Sequence, residues 1–215
     1  MSEKIAVYTA IMGDYDPIRA DQRWGGADWF MFTDQPFNPD TGWTIKPVKR
    51  LFIDPRRDAR RLKTLSHELF PDYTHVIWID GSVSLRVTPE RLVSDGLGDK
   101  DIACLTHPDR ICLYQEAEAC KALGLDESET IDRQVEKYRK AKYPVNNGLG
   151  ETRVLIRKNT EETRYFNENW EHEILNNSLR DQISFNYCAW VNFLSISYMI
   201  DWKHTTDFIY HNHPK

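Results

Sequence analysis

The sequence predicts an α/β fold with a mostly parallel central sheet flanked by helices. Three observations predict it. Short apolar runs of strand length alternate with longer segments of helical period. The runs are continuously apolar, as expected of strands covered on both faces. No internal repeat, low-complexity tract or Pro/Gly-rich linker breaks the alternation, so residues 1–215 are expected to form a single domain.

The strand-like runs are Ile5–Met12, Asp28–Asp34, Thr44–Lys49, His75–Asp80 and Asp101–His107, then Thr152–Lys158, Ser195–Asp201 and Asp207–His211. Helical patterns lie between them. RRDARRLKTLSHELF, from Arg56 to Phe70, sets Leu62, Leu65 and Leu69 on one face. LYQEAEACKAL and ESETIDRQVEKYRKA follow. NTEETRYFNENWEHEIL opens on Asn159 or Thr160 as N-cap, with acids in its first turn. DQISFNYCAWVNFL, starting at Asp181, is the last.

Composition excludes several classes of function. Hydrophobic residues make up 40% of the chain, with seven Trp, ten Tyr and nine Phe, which is too apolar for disorder. The formal net charge of -5 argues against nonspecific nucleic-acid binding, which needs a basic face. No run approaches the ~18 apolar residues of a membrane span. The start, MSEKIAVYTAIM, lacks a long apolar region and a small-residue cleavage site, so no signal peptide is expected. Cys104, Cys112, Cys120 and Cys188 form no C-x-x-C pair, and reduced, buried thiols in a cytoplasmic protein are the expectation.

One stretch asks for more than a fold. In HVIWIDGSVSL, His75 to Leu85, an apolar run ends on Asp80, followed by Gly81 and Ser82. Parallel sheets gather ligands at the carboxyl ends of their strands. An Asp-Gly pair also makes an ordinary turn.

At LFPDYTHVIWIDGSVSL the sequence resembles a glycosyltransferase-like domain known as domain of unknown function 616, with plant members of the turgor-regulation-defect and mucilage-related type. The blocks YTAIMGDYD, FTDQ, RRLKTLSHELFPDYTHVIWIDGS, HPDRICLYQEAEAC, IDRQVEKYR, ETRVLIRKN and RDQISFNYCAW carry the resemblance, in the same order. It implies a GT-A-like fold, a nucleotide-diphosphate sugar donor, a carbohydrate acceptor and a divalent cation, Mn2+ or Mg2+. A looser similarity to retaining, glycogenin-type enzymes implies retention of anomeric configuration. There an acidic turn after a central strand and a C-terminal histidine hold the metal, and a DQ helix start lies near the sugar. The chain has Asp80-Gly81-Ser82 where GT-A enzymes usually show D-x-D.

The chemistry gives each candidate a task. Glycosyl transfer leaves a diphosphate whose charge must be met by a cation or by fixed basic groups. Asp80 is the expected first metal ligand. Ser82, water, His211 or His213 complete the shell, since His211 and His213 share a face if they lie on a strand. Asp14-Tyr15-Asp16 is a literal D-x-D, but it follows the first strand, where the resemblance places the nucleoside. Thr9, Ala10 and Tyr15 are expected to form a base and ribose shelf, with Asp34 accepting a ribose hydroxyl. Arg60, Lys63 and His67 recur at helical spacing opposite the leucines, as an anion-facing or a solvated stripe. The resemblance takes Lys63 and His67, with Gly81 and Arg57, to the donor. His107, Arg110 and Glu116 are expected to face the acceptor. Asp181 is either a helix cap or, with Gln182, part of the sugar site.

Two rivals stand beside a transferase. A sugar nucleotidyltransferase would want a glycine-rich, basic loop after the first strand, and TAIMGDYDPIR has one glycine. A non-catalytic carbohydrate- or nucleotide-sugar-binding module would need no second acid at the Asp80 turn.

Overall fold

The computed structural model describes residues 3–19, 25–37 and 41–212. In chain order the elements are β1 (Ile5–Ile11), β2 (Ala27–Thr33), β3 (Thr44–Pro47), α1 (Pro55–Thr64), α2 (Ser66–Leu69), β4 (His75–Ile79), β5 (Val83–Leu85) and α3 (Pro89–Leu97). There follow β6 (Ile102–Thr106), α4 (Leu113–Ala122), α5 (Ser128–Lys140), β7 (Gly150–Lys158), α6 (Glu161–Asn176), α7 (Asp181–Val191), β8 (Ile196–Met199) and β9 (Phe208–Tyr210).

The main sheet runs β3-β2-β1-β4-β7-β6-β8. β7 is antiparallel to both its neighbours, β4 and β6, and every other pairing in this sheet is parallel. This is the helix-flanked, mostly parallel sheet expected of a GT-A-like fold. Both faces are buried because side chains alternate along each strand. Tyr8, Val76, Trp78 and Leu155 point into one apolar cluster, with residues of α4 to α7. Val7, Ile77, Ile79 and Ile156 point into a second cluster, with Leu92, Val93 and Leu97 of α3. All four cysteines are buried and unpaired. No helix among the described residues is long and apolar enough to cross a membrane.

Several elements depart from the sequence expectation, the short strand β5 among them. The run Asp207–His211 does not join the main sheet; its β9 pairs with β5 in a separate two-stranded antiparallel sheet. Helix α3 was not expected, although Thr88 caps it, accepting from Arg91 N, and Pro89 stands at its first position. The basic helix is broken at Leu65, whose ψ of 28° ends α1, and four residues of α2 follow. The break takes His67 off the face shared by Arg60 and Lys63.

Helix α1 is fixed at both ends. Asp54 caps it by accepting from Arg56 N, and Pro55 opens it. The buried Asp58 carboxylate accepts from Leu51 N (2.8 Å) and Phe52 N (3.2 Å), tying down the incoming loop. At the far end Tyr8 donates its hydroxyl to Lys63 O at 2.8 Å. Thr160 caps α6 in a reciprocal capping box with Thr163.

Candidate active site

A cleft of about 380 Å³ opens at the carboxyl ends of β1 and β4. Its walls come from the loop after β1, from α1, from the Asp80 turn, from the first residues of β7, from the start of α7 and from His211. β7 contributes its beginning because it runs antiparallel: Asp80 N donates to Arg153 O at 2.9 Å, so Glu151 and Thr152 lie at the carboxyl edge of the parallel strands.

The centre of the cleft is a buried ion pair. Lys63 Nζ donates to Asp181 Oδ2 at 2.6 Å and to Thr152 Oγ1 at 3.1 Å, and lies 3.6 Å from Asp80 Oδ1. Thr152 Oγ1 also donates to Asp181 Oδ2 at 2.9 Å, and Arg60 Nε stands 3.6 Å from Asp181 Oδ1. Burial alone would raise the Asp181 carboxyl, but the charges of Lys63 and Arg60 outweigh it and hold the group far below the usual carboxylate range. Arg180, not Asp181, is the N-cap of α7, and no side chain caps that end. Asp181 is the first helical residue, and its carboxylate is turned to Lys63 and Thr152. Gln182 follows in the cleft wall. Arg56, Arg153 and Arg180 bring the basic groups of the walls, with Arg60 and Lys63, to five.

The Asp80 turn forms the adjoining wall. Trp78 Nε1 donates to Asp80 Oδ1 at 2.7 Å. Gly81 is close-fitted: a Cβ there would stand 3.0 Å from Ile11 Cγ1 and 3.2 Å from Asp16 Oδ2. The literal D-x-D thus brings its second acid, Asp16, against this turn, and Asp16 lines the cleft. His211 N donates to Ser82 O at 2.8 Å, while His211 Nε2 and Ser84 Oγ are 2.9 Å apart. His213 lies outside the described residues.

Asp80, Ser82 and His211 all line the cleft, and a carboxylate, a hydroxyl and an imidazole are donor types that Mn2+ or Mg2+ accepts. Among the described residues, no three His, Cys, Asp or Glu side chains gather closely enough to hold an ion by themselves. Asp80, Ser82 and His211 could hold such a cation only if further oxygen ligands came from outside this set.

The remaining candidates fall in several places. Ala10 and Tyr15 line the cleft. Thr9 is buried, beside a small hollow behind the Asp80 turn. Asp34 accepts from Gly13 N at 2.8 Å and pairs with Arg50 at 3.1 Å, which ties down the loop carrying Tyr15. Arg57 donates to Ile174 O at 3.0 Å and is not among the cleft-lining residues. His67 Nδ1 lies 3.2 Å from Asn167 Nδ2, also off the cleft, and burial pushes its pKa down. His107, Arg110 and Glu116 do meet, in a partly buried cluster: Arg110 Nε reaches Glu116 Oε2 at 2.6 Å, and His107 Nε2 lies 3.6 Å from the same oxygen. That cluster stands outside the cleft lining.

Sequence reasoning missed Glu151 and Arg153. Glu151 is 3% exposed and lines the cleft, with Oε1 paired to Arg153 Nε at 2.6 Å. Its Oε2 is buried and has no hydrogen-bond partner. Burial pushes its carboxyl up to about 7, against the pull of Arg153 and helped by the charge of Asp80.

The family model for the TOD1/MUCI70, glycosyltransferase-like domain matches residues 41–200, which include Lys63, Asp80, Glu151 and Asp181. A probable hexosyltransferase, MUCI70 of Arabidopsis thaliana, is 29% identical over 211 residues, covering 85% of this chain. The chain spans 36% of that relative's length. With most of its length matched, including the centre of the cleft, the chain belongs to the TOD1/MUCI70 glycosyltransferase-like domain family.

Proposed function

We propose that this chain transfers a hexose from a nucleotide-diphosphate sugar, in the first place a uridine-linked one, to a hydroxyl of a carbohydrate acceptor. The observation that carries this reading is the buried Lys63–Asp181 pair, with Arg60 and Asp80 beside it, at the carboxyl edge of the sheet. Lys63 and Arg60, held in place by these carboxylates, are fixed cationic donors suited to the charge that develops on a departing diphosphate. The MUCI70 relative, named a probable hexosyltransferase, supports transfer of a hexose.

In this reading Ala10 and Tyr15 border the nucleoside. Lys63 and Arg60 face the diphosphate. Asp181 holds Lys63 in place, and Gln182 approaches the sugar. Asp80, Ser82 and His211 would hold Mn2+ or Mg2+, which when bound supplies Lewis-acid charge to the phosphate oxygens.

Calorimetry with UDP tests the reading. Because Lys63 already stands 3.6 Å from Asp80, Mn2+ alone is expected to bind weakly. UDP is expected to bind at least ~10-fold more tightly with Mn2+ than without it, and Asp80→Asn to lose that difference. An unchanged Mn2+ dependence in the variant would remove Asp80 from the site. Absence of UDP binding under either condition would overturn the donor assignment.

A further inference from the structure

Glu151 has no part in the reading above, yet its surroundings are built around it. It shares the cleft with the Lys63–Asp181 centre, and its Oε2 is buried without a donor. An ionised carboxylate can only accept hydrogen bonds, so the group it awaits is a donor, and a sugar hydroxyl fits. Its other oxygen is fixed by Arg153, whose guanidinium lies over the rings of Trp202 (5.0 Å) and Tyr210 (5.3 Å).

The contacts along β7 give the direction of this group. Thr152 is bonded to Lys63 and Asp181, whereas Arg153 points to Trp202 and Tyr210 and holds Glu151 on that side. The Lys63–Asp181 pair and the Glu151 carboxylate therefore flank the end of β7 from opposite sides. A displacement with inversion needs its proton acceptor and its leaving group on opposite faces of the anomeric carbon.

We propose that Glu151 is the catalytic base of this transferase and that transfer inverts the anomeric centre. The inference rests on the donor reading above. The acceptor O–H bond breaks and its proton passes to Glu151 Oε2. The oxygen pair forms the new bond to the anomeric carbon. The bond from that carbon to the phosphate oxygen breaks, and its pair leaves on the nucleoside diphosphate, toward Lys63 and Arg60. A retaining route, as in glycogenin-type enzymes, would instead pass the proton to the leaving phosphate and need no such base.

The groups whose charges bear on Glu151 are Arg153 on β7, Asp80 after β4 and Lys63 on α1; Tyr210 on β9 and Cys104 on β6 face it as neutral groups, raised by burial and by the charge of Glu151. Arg153 and Lys63 favour the ionised form, and burial and Asp80 oppose it, leaving the carboxyl at about 7. A base performs best with a pKa near the working pH.

The test uses the full chain with UDP-glucose and UDP-galactose, both α-linked, and water as acceptor. Early proton NMR reads which anomer of the sugar is released first. The β anomer is expected. Glu151→Gln is expected to lower kcat by ~10²–10⁴-fold, with the donor KM within about threefold and UDP affinity kept. The wild-type kcat is expected to fall toward acid pH as Glu151 takes up a proton, and that limb to vanish in the variant. First release of the α anomer, or a Glu151→Gln kcat within ~10-fold of wild type, overturns the base and leaves the transferase standing. No release from either donor overturns the transferase reading and this inference with it.

Discussion

Lys63→Met is expected to lose about 3 kcal/mol of stability and ~10²–10³-fold in transfer rate. The residue is 3% exposed and its ammonium is bonded to Asp181, which is 4% exposed. Methionine replaces the lysine stem one atom short of the ammonium, and remains an apolar, unbranched chain beside Trp78 and Trp170, over which the ammonium lies. What it cannot do is pair with the carboxylate. Removing one partner of a buried pair costs about 3–5 kcal/mol, and Arg60 at 3.6 Å from Asp181 keeps this case near the lower figure.

The pH dependence of that loss identifies its cause. In the wild type the Asp181 carboxyl lies below its unfolded value of ~3.9, so its contribution is present above about pH 4 and is lost as pH falls through the folded value. Without Lys63, burial moves the carboxyl up while Arg60 and Arg180 still hold it down, so its depression shrinks. The variant then gains less stability than the wild type as pH rises through about 4. Urea unfolding of both proteins from about pH 3.5 to 7 should show curves that diverge toward neutrality. Parallel curves would mean that Asp181 is held by something other than Lys63.

The parts of this architecture that could be read in the sequence are those set by local pattern. Strands buried on both faces announce themselves as apolar runs, and α6 announces itself through Thr160 and the acids after it. Strand direction has no such mark. A doubly buried run reads alike whether it is parallel or antiparallel, so Thr152–Lys158 was legible as a strand but not as the one that reverses. That reversal decides the site. It brings the beginning of β7 to the edge where Asp80 ends β4, and with it Glu151 and Arg153. The signal available beforehand was slight: an acid and a base opening a strand in GETRVL.

Long-range pairing was equally hidden. Asp181 reads as a helix cap because capping is local, whereas its actual partner Lys63 is 118 residues away in sequence. Helical spacing put His67 beside Lys63, and the break at Leu65 undid it. Asp80, by contrast, was legible because a lone acid ending a buried strand is local in both pattern and consequence.

Arg157→Met is expected to destabilise the protein by about 3–5 kcal/mol although Arg157 is not among the cleft-lining residues. The residue is 1% exposed and its guanidinium serves four acceptors: Tyr8 Oη (2.8 Å), Lys63 O (2.8 Å), Asn167 Oδ1 (2.7 Å) and Thr64 O (3.5 Å). Lys63 and Thr64 end α1, so the charge sits where the helix dipole favours a cation. Methionine would leave those buried acceptors short of a donor, at about 1–3 kcal/mol each where no water replaces it. Lysine keeps the charge but not the planar fork, so Arg157→Lys should recover only part of the loss. Because Arg157 fixes the turn from which Lys63 projects, both variants should also bind UDP more weakly. Urea midpoints and UDP calorimetry on the same preparations check the two effects together. Full recovery of stability and UDP affinity by lysine would show that charge alone is needed, and a methionine loss below about 1 kcal/mol would show that α1 is held by its apolar face.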